Sequence, residues 1–166
     1  AMTHASKSGV THFTASSDED ALDLTRELIG LLPSNNLSGT PLKNTGDSAT
    51  RLCESLDSIV PEDPNKPYDV NEVISEILDS GAFLEVQASF AANIVVGFGR
   101  LNGSTIGVVA NQPKVLAGCL DIDASTKAAR FVRFCDAFGI PLVTLVDVPG
   151  FLPGANQEWG GIIRHG

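Results

Sequence analysis

The feature that most constrains the fold is a helix-periodic segment that lies between two apolar runs. Residues 105–110 and 140–146 are apolar stretches of strand length, and residues 124–138 repeat apolar side chains at helical spacing. A strand, a helix and a second strand in this order form a βαβ unit, whose strands are parallel and whose crossover is right-handed. We therefore predict an α/β fold that contains this unit. The unbroken run at 140–146 also predicts a strand that is buried on both faces.

An Asn-Gly pair predicts a hairpin just before this unit. Asn102-Gly103 separates the apolar runs 93–101 and 105–110, and this dipeptide favours the tight turn between antiparallel strands. Residues 83–90 alternate apolar and polar side chains and are a further strand candidate. The chain should therefore contain an antiparallel pair that precedes the parallel one.

Capping residues predict the helix boundaries in the first half of the chain. Ser16 and Glu19 fit a capping box, which begins a helix over residues 16–32. Asp69 is a good N-cap for a short helix that ends before Gly81. The intervening residues 33–68 are rich in Asn, Ser, Thr and Pro, and we interpret them as a linker with one helical turn around residues 52–59.

Two helices are predicted in the second half. Asp123 and Gly139 cap the helix over residues 124–138, and Asp121 is an alternative N-cap. A last helix begins near Asn156 and is still running at Gly166. We therefore expect the chain to be an internal piece of a longer polypeptide. Within this piece alone, the last helix should have nothing to pack against.

Charge and composition exclude several classes of function. Residues 1–81 carry 14 acidic and 5 basic side chains, whereas residues 82–166 carry 6 of each. A nucleic-acid binder requires a basic face, so that class is excluded. The chain has no run of about 18 apolar residues, so we expect no membrane span. An anionic small ligand is compatible only with local clusters of bases, of which Lys127, Arg130 and Arg133 are the example.

The three cysteines fit no metal or disulfide pattern. Cys53, Cys119 and Cys135 are odd in number and widely spaced, so we expect no metal site and a reducing compartment. On its helix, Cys135 is best interpreted as a small buried hydrophobe.

The loops at residues 111–122 and 147–155 are the predicted ligand site. Both follow strands of the parallel pair, so they meet at the carboxyl edge of the sheet, where α/β folds bind ligands. Their glycines let the backbone approach a ligand, and backbone N–H groups there, or at the helix start near Asn156, are able to hold an oxyanion. The alternative from the residues alone is that both loops are ordinary tight connections.

The candidate acid–base side chains are weaker. Asp121 has the position of a helix cap, Asp147 lies at a strand end, and Glu158 lies in a first helical turn, where the helix dipole favours a carboxylate. His165 is expected at the surface or at an interface. With no triad order or phosphate-binding loop in the sequence, these residues indicate a ligand edge without side-chain catalysis.

Long motifs occupy the second half of the chain: VVANQP at 108–113, AGCLDI at 117–122, KAARFVRFCD at 127–136, LVDVPGFLPG at 145–154 and QEWGGIIRHG at 157–166. Together with the segment 61–68, they resemble carboxyltransferase β chains of biotin-dependent acyl-CoA carboxylases, of the propionyl-CoA carboxylase type. Residues 1–32 resemble the closing part of the first domain of that family, and residues 69–166 the first part of its second domain. Residues 33–68, of which the part around 34–50 carries no resemblance, are then the interdomain linker.

The resemblance implies a crotonase-like (ClpP/crotonase) ββα spiral, incomplete in this piece. It implies carboxyl transfer from carboxybiotin to the α-carbon of an acyl-CoA, such as propionyl-CoA to methylmalonyl-CoA. Gly118 and Cys119 occupy the place of the loop that gives one oxyanion N–H. The substrate-binding residues that it implies are Lys114, Ala117, Gly118, Cys119, Leu120, Asp121, Asp147, Gly150, Phe151, Leu152, Pro153 and Gly154.

The resemblance also implies partners. Biotin is carried by a partner α subunit with biotin carboxylase and biotin carrier parts, which binds the ATP, and other β subunits form a homo-oligomer. The location is the cytoplasm, or the mitochondrial matrix in a eukaryote. Because the partner oxyanion loops of the family are absent, this piece alone should be inactive. The alternatives are a transcarboxylase or decarboxylase subunit, a longer-chain enzyme (Trp159 stands where many relatives have Tyr), and a truncated, non-catalytic assembly module.

Overall fold

A mixed sheet forms the centre of the chain. The computed structural model describes residues 2–63 and 65–166, so Ala1 and Pro64, the latter within segment 61–68, lie outside the described residues. Within them, the sheet has the strands β1 (Phe83–Val86), β2 (Ile94–Leu101), β3 (Ser104–Asn111) and β4 (Leu142–Leu145). The four strands lie in chain order across the sheet, with β1–β2 and β2–β3 antiparallel and β3–β4 parallel.

The predicted hairpin is confirmed. Asn102 and Gly103 join β2 to β3 with φ angles of 49° and 78°, the positive values that a tight hairpin turn requires at both positions. The buried carboxylate of Asp79 accepts hydrogen bonds from both of these backbone N–H groups, at 3.0 and 2.7 Å. The turn is therefore clamped from outside the hairpin.

The predicted βαβ unit is also confirmed. The helix α5 (Ile122–Ala137) connects β3 to β4, and their parallel register runs from Gly107 opposite Leu142 to Ala110 opposite Leu145. Together β2, β3 and α5 give the ββα order expected of a crotonase-like fold, and the α/β class is confirmed.

The strand β4 is less buried than expected. Its residues alternate between exposed and half-buried, so the prediction of burial on both faces is wrong for residues 141–146, and only Ile140, at 4% exposure, is buried. The reason is position: β4 is an edge strand of the described sheet, and an apolar run indicates burial only where another layer covers it. The predicted strand 83–90 is also shorter, because the chain turns after Val86, where Gln87 has a φ of 56°.

One N-cap differs from the prediction by one residue, and another is the alternative that the sequence offered. Ser17, rather than Ser16, accepts the N–H of Asp20 and begins α2 (Asp18–Leu31). Asp121, rather than Asp123, accepts the N–H of Ala124 and begins α5. In both cases two adjacent or nearby residues have the right chemistry, and tertiary packing selects between them.

The short helix α4 (Val70–Ile77) confirms the prediction for Asp69, whose side chain accepts the N–H of Asn71. Helix α3 (Leu56–Ile59) is the expected turn within the linker, and the chain begins with α1 (Met2–Ser6).

The predicted last helix is interrupted. It consists of α6 (Ala155–Gly160) and α7 (Ile162–His165), separated by Gly161, which has a left-handed φ of 84°. Ile162 is only 1% exposed, and α7 packs against α5. The expectation that this segment has nothing to pack against is therefore wrong, since the glycine turns the chain back onto α5.

The core lies in two layers, one on each face of the sheet. On one face, α2 and α5 pack through Leu31 and Phe131 against Phe98 of β2. On the other face, α4 packs through Ile74 against Val108 of β3. Residues 1–32 and 69–166 thus share one core, and we keep the division at residues 32 and 68 as a proposal about the domains of the whole protein.

The linker is held against the hairpin. Leu42 forms an isolated bridge with Ser104, and the guanidinium of Arg100 donates to the Pro41 carbonyl at 2.7 Å. The Thr45 hydroxyl donates to Asp79, the residue that also clamps the hairpin turn. Residues 41–45 of the linker are therefore held against the sheet, whereas Leu37 and Leu52 remain exposed.

Candidate functional site

The two loops that follow the parallel strands lie side by side, as predicted. We call residues 111–122 the first loop and residues 147–155 the second loop. The N–H of Leu120 donates to the Gly150 carbonyl at 3.1 Å, and the N–H of Leu152 donates to the Leu120 carbonyl at 2.8 Å. These bonds form a parallel bridge between Leu120 and Phe151. The loops are therefore joined by backbone hydrogen bonds at the carboxyl edge of the sheet.

The first loop contains a strained turn. Leu116, Ala117 and Gly118 all have positive φ, between 51° and 74°. The N–H groups of Gly118 and Cys119 each donate at 3.0 Å, to the carbonyls of Val115 and Leu116. A ligand oxygen at either predicted oxyanion donor would thus share the N–H with a loop carbonyl. Their role stays a prediction, and left-handed geometry in successive non-glycine residues is the kind of strain found at functional sites.

Glycine is required at position 118. A Cβ on Gly118 would lie 2.7 Å from the backbone oxygen of Asp147, closer than real Cβ contacts allow. The first and second loops therefore touch at this residue.

Two buried asparagines hold the backbone of the first loop, and the sequence reasoning missed both roles. Asn111 Nδ2 donates to the Gly118 carbonyl at 3.1 Å, and its Oδ1 accepts the N–H of Asp147 at 3.2 Å. Asn93 Nδ2 donates to the Cys119 carbonyl at 2.8 Å. The available signal was an asparagine at a strand end, which is equally typical of a turn.

Two of the three acidic candidates, Asp121 and Asp147, are engaged in structural contacts. Asp121 caps α5 and also accepts from Asn93 Nδ2 at 3.2 Å. Asp147 accepts the hydroxyl of Tyr68 at 2.8 Å. Burial and this hydrogen bond raise the pKa of Tyr68 to about 12, so the phenol stays protonated at neutral pH. Glu158 lies in the first turn of α6, and both Glu158 and His165 are exposed.

Lys114 contacts a carboxylate at the edge of the first loop. Its Nζ lies 3.3 Å from Asp69 Oδ2, and Gln112 Nε2 donates to the other carboxylate oxygen at 2.8 Å. Burial raises the pKa of Asp69, but the hydrogen bonds from Gln112, Asn71 and Lys114 outweigh it and leave the pKa lowered. The side chain of Lys114 is half exposed, so it remains accessible to solvent.

The proposed cluster of bases does not form. Lys127 is 2% exposed, and its ammonium donates to four backbone carbonyls of the turn at residues 87–94, at 2.7 to 3.3 Å. Burial lowers its pKa to about 8, against the opposing effect of Glu85. Arg130 and Arg133 line a separate cavity, so the hypothesis of an anion site at these three bases is wrong. A basic residue on a helix gives no sign of whether it points inward.

A cleft of about 630 Å³ opens between the two loops and the segment at residues 60–68. Ala117 and Pro113 of the first loop line it, together with Asp147 of the second loop and Tyr68. The other predicted substrate-binding residues belong to the same loops outside this lining. A smaller cavity of about 450 Å³, whose lining includes four phenylalanines as well as Arg130 and Arg133, has no lining residue in either loop. We therefore assign the site to the larger cleft.

Comparisons with known proteins identify the family of the chain. The sequence profile described as the carboxyl transferase domain matches residues 1–166. The chain belongs to this family. It is 57% identical to a methylmalonyl-CoA decarboxylase subunit alpha from Veillonella parvula and 55% identical to a propionyl-CoA carboxylase beta chain from Saccharopolyspora erythraea, in both cases over 100% of the chain.

A solved structure of transcarboxylase 12S, described as a hexamer with methylmalonyl-CoA bound, superposes on this carboxyl transferase chain with a TM-score of 0.95. The two are 52% identical over 99% of this chain and 32% of the other. The chain spans about a third of the length of the curated relatives that it matches, 33% and 32% for the two named above. Across residues 2–63 and 65–166, no helix is long and apolar enough to cross a membrane.

Proposed function

We propose that the protein containing this segment transfers a carboxyl group between biotin and the α-carbon of an acyl-CoA, with propionyl-CoA as the acceptor. The observation that carries the proposal is the cleft at the carboxyl edge of β3 and β4, which is bounded by the first and second loops. The names of the relatives, which include propionyl-CoA carboxylases and a methylmalonyl-CoA decarboxylase, support the substrate class.

The loops contribute backbone dipoles rather than a nucleophile. In the reaction the α-carbon of the acyl-CoA exchanges its proton for the carboxyl group, and the proton ends on the biotin nitrogen that the carboxyl group has left. Negative charge develops on the thioester oxygen while the α-carbon is without its proton. Backbone N–H groups placed at such an oxygen stabilise the charge without being consumed. We assign this role to the Gly118–Cys119 turn. Lys114, half exposed at the loop edge, is available to the anionic part of the coenzyme A, and Ala117 and Asp147 line the cleft.

The cleft fits a small organic group. Its volume of about 630 Å³ lies within the range of small-molecule sites. Ala117, Pro113 and Tyr68 give it apolar walls for the biotin ring or the acyl end of the thioester. Bound biotin supplies a carboxyl group in transferable form. We propose that the biotin is carried by a partner α subunit, that several copies of the present chain assemble, and that the protein works in the cytoplasm.

The second candidate function is that of a decarboxylase or transcarboxylase subunit, in which the direction of carboxyl transfer differs. The relative from Veillonella parvula is named a decarboxylase subunit, and the superposed structure is a transcarboxylase. The chemistry at the α-carbon is the same in each case, so the partner chains decide the direction.

The proposal is tested with the full-length protein. It is mixed with a biotin carboxylase, a biotinylated carrier, bicarbonate, ATP and propionyl-CoA, and methylmalonyl-CoA is measured by mass spectrometry. We expect ATP-dependent product that disappears when the biotinylated carrier is replaced by the same carrier without biotin.

The reverse reaction is measured in parallel, from methylmalonyl-CoA and biotinylated carrier without ATP. Product in the reverse assay alone would assign a decarboxylase or transcarboxylase. An absence of transfer in both directions, with protein that is folded and binds its partner, would contradict the proposed function.

A further inference from the structure

Two side-chain amides hold consecutive carbonyl groups of the first loop. Asn93 lies directly before β2 and Asn111 ends β3, so they lie side by side at one end of the sheet. They are 2% and 7% exposed. Asn111 binds the Gly118 carbonyl and Asn93 binds the Cys119 carbonyl. Each amide thus determines the orientation of one peptide plane.

A hydrogen bond that fixes the carbonyl group of a trans peptide also fixes the direction of the next N–H. In a trans peptide the C=O and the following N–H point in opposite directions. Because Asn111 holds the Gly118 carbonyl on the sheet side, the N–H of Cys119 points to the opposite side. There it donates to the Leu116 carbonyl at 3.0 Å, and a substrate oxygen would share this N–H with that carbonyl. Because Asn93 holds the Cys119 carbonyl, the N–H of Leu120 is likewise turned outward, where it donates to Gly150 of the second loop.

Asn111 also fixes the second loop. Its Oδ1 accepts the N–H of Asp147 at 3.2 Å while its Nδ2 donates to Gly118, so one buried amide joins the two loops where they are closest. Only an amide has a donor and an acceptor in this arrangement. A carboxylate keeps the acceptor and loses the donor, and an apolar side chain of the same shape loses both.

We propose that Asn111 is a positioning residue for carboxyl transfer: it aims the Cys119 N–H at the reacting oxygen and holds the two loops at the spacing that the substrate requires. This inference rests on the proposed function. It predicts that changes at Asn111 act on the rate of the bound substrate, since small displacements of a transition-state donor cost far more in rate than in ground-state binding.

The experiment compares three variants of the full-length protein. Asn111→Leu removes both hydrogen bonds, and Asn111→Asp removes only the donor. Asp79→Asn is the matched control, because Asp79 is a buried polar residue that clamps the hairpin turn away from both loops. Each variant is measured for kcat and KM with propionyl-CoA, for the midpoint of thermal unfolding, and for hydrogen exchange of the peptides that cover residues 111–122 and 147–155.

For Asn111→Leu we expect kcat to fall by about tenfold to hundredfold with KM changed less than about threefold. Asn111→Asp should be as impaired at pH 8, and its kcat relative to wild type should recover toward pH 6. The reason is that a buried carboxyl takes up a proton readily and then regains a donor for the Gly118 carbonyl. Exchange should rise in both loops of the Asn111 variants, whereas Asp79→Asn should keep its kcat and leave both loops protected.

Three results would overturn the inference. One is a kcat for Asn111→Leu within twofold of wild type, and another is an equal loss of kcat in Asp79→Asn. The third is unchanged exchange in both loops. If Asn111→Leu does not fold, the pH recovery of Asn111→Asp decides the question. If the wild-type protein shows no carboxyl transfer, the proposed function is wrong. The hydrogen-exchange data would still show whether Asn111 holds the two loops.

Discussion

Replacing Gly118 by alanine tests whether the contact between the two loops matters for both stability and activity. Gly118 has a φ of +74°, and the added Cβ would lie 2.7 Å from the backbone oxygen of Asp147 and 3.4 Å from Asn111 Cβ. Since the nearest atom belongs to the backbone, it cannot move aside by changing a rotamer. Relief requires that the first loop separates from the second.

The expected cost has two parts. A left-handed conformation costs an L-residue about 1–2 kcal/mol relative to glycine. Forcing an extra methyl into a filled space costs about 1–3 kcal/mol more. The free energy of unfolding should therefore fall by about 2–5 kcal/mol. Displacement of the Gly118–Cys119 turn should also lower kcat by at least about tenfold, because a misplaced donor no longer meets the oxygen.

Gly139 offers a matched control. It has a similar φ of +63°, but no atom lies within 4 Å of its added Cβ, and it follows α5 at the opposite end of the βαβ unit. Gly139→Ala should therefore cost only the conformational part, about 1–2 kcal/mol, with kcat unchanged. Both variants are made in the full-length protein and measured by urea unfolding and by the rate of methylmalonyl-CoA formation.

Two results would contradict the expected effect of Gly118→Ala. Equal losses of stability in Gly118→Ala and Gly139→Ala would show that the loops separate without cost. An unchanged kcat in Gly118→Ala would show that the position of the turn is irrelevant to transfer. Either result would refute the reasoning from the close approach.

Two further predictions concern Cys119 and Lys127. Cys119 has a φ of −59°, a value that proline adopts, so Cys119→Pro should remove the N–H without changing the backbone angle. The kcat of transfer should then fall by about 10²–10³-fold, whereas Cys119→Ala should keep a kcat near that of the wild type. Equal, small changes of kcat in both variants would count against the donor role. Burial lowers the pKa of Lys127 from 10.5 to about 8, so from pH 8 to 10.5 the unfolded chain binds more protons than the folded chain. As pH increases through this window, the free energy of unfolding of the wild type should therefore rise relative to that of Lys127→Met, by up to about 3 kcal/mol. Parallel curves of unfolding free energy against pH, measured by urea unfolding, would contradict this prediction.

Periodicity and turn chemistry were sufficient to predict the framework of the site. The Asn102-Gly103 turn and the helical repeat over residues 124–138 are local signals, and each allows few topologies. Once β3 and β4 are parallel, the first and second loops must meet at one edge. Their adjacency was therefore predictable without knowledge of any tertiary contact.

The contacts that build the site depend on residues distant in sequence. Lys127 binds carbonyls at residues 87–94, about 35 positions away, and Tyr68 binds Asp147, 79 positions away. Nothing in the local pattern distinguishes an inward Lys127 from a solvated one. The same holds for the exposure of β4, since an apolar strand is buried only where another element covers it. These are properties of the assembled fold.

The chemistry of the contacts explains why the site uses neutral amides in its interior. A buried carboxylate costs several kcal/mol unless it is fully paired, whereas an amide with both partners costs far less. A carboxylate at position 111 would also repel negative charge that develops on a substrate oxygen nearby. Asp121 and Asp147, the acidic side chains of the two loops, are instead engaged by the start of α5 and by Tyr68. The interior of the loops is therefore held by hydrogen bonds from groups without net charge. Under the proposed function, such an arrangement leaves backbone N–H groups as the main electrostatic support for an oxyanion. It then predicts that charge introduced at Asn111 is more harmful to transfer than the loss of either aspartate.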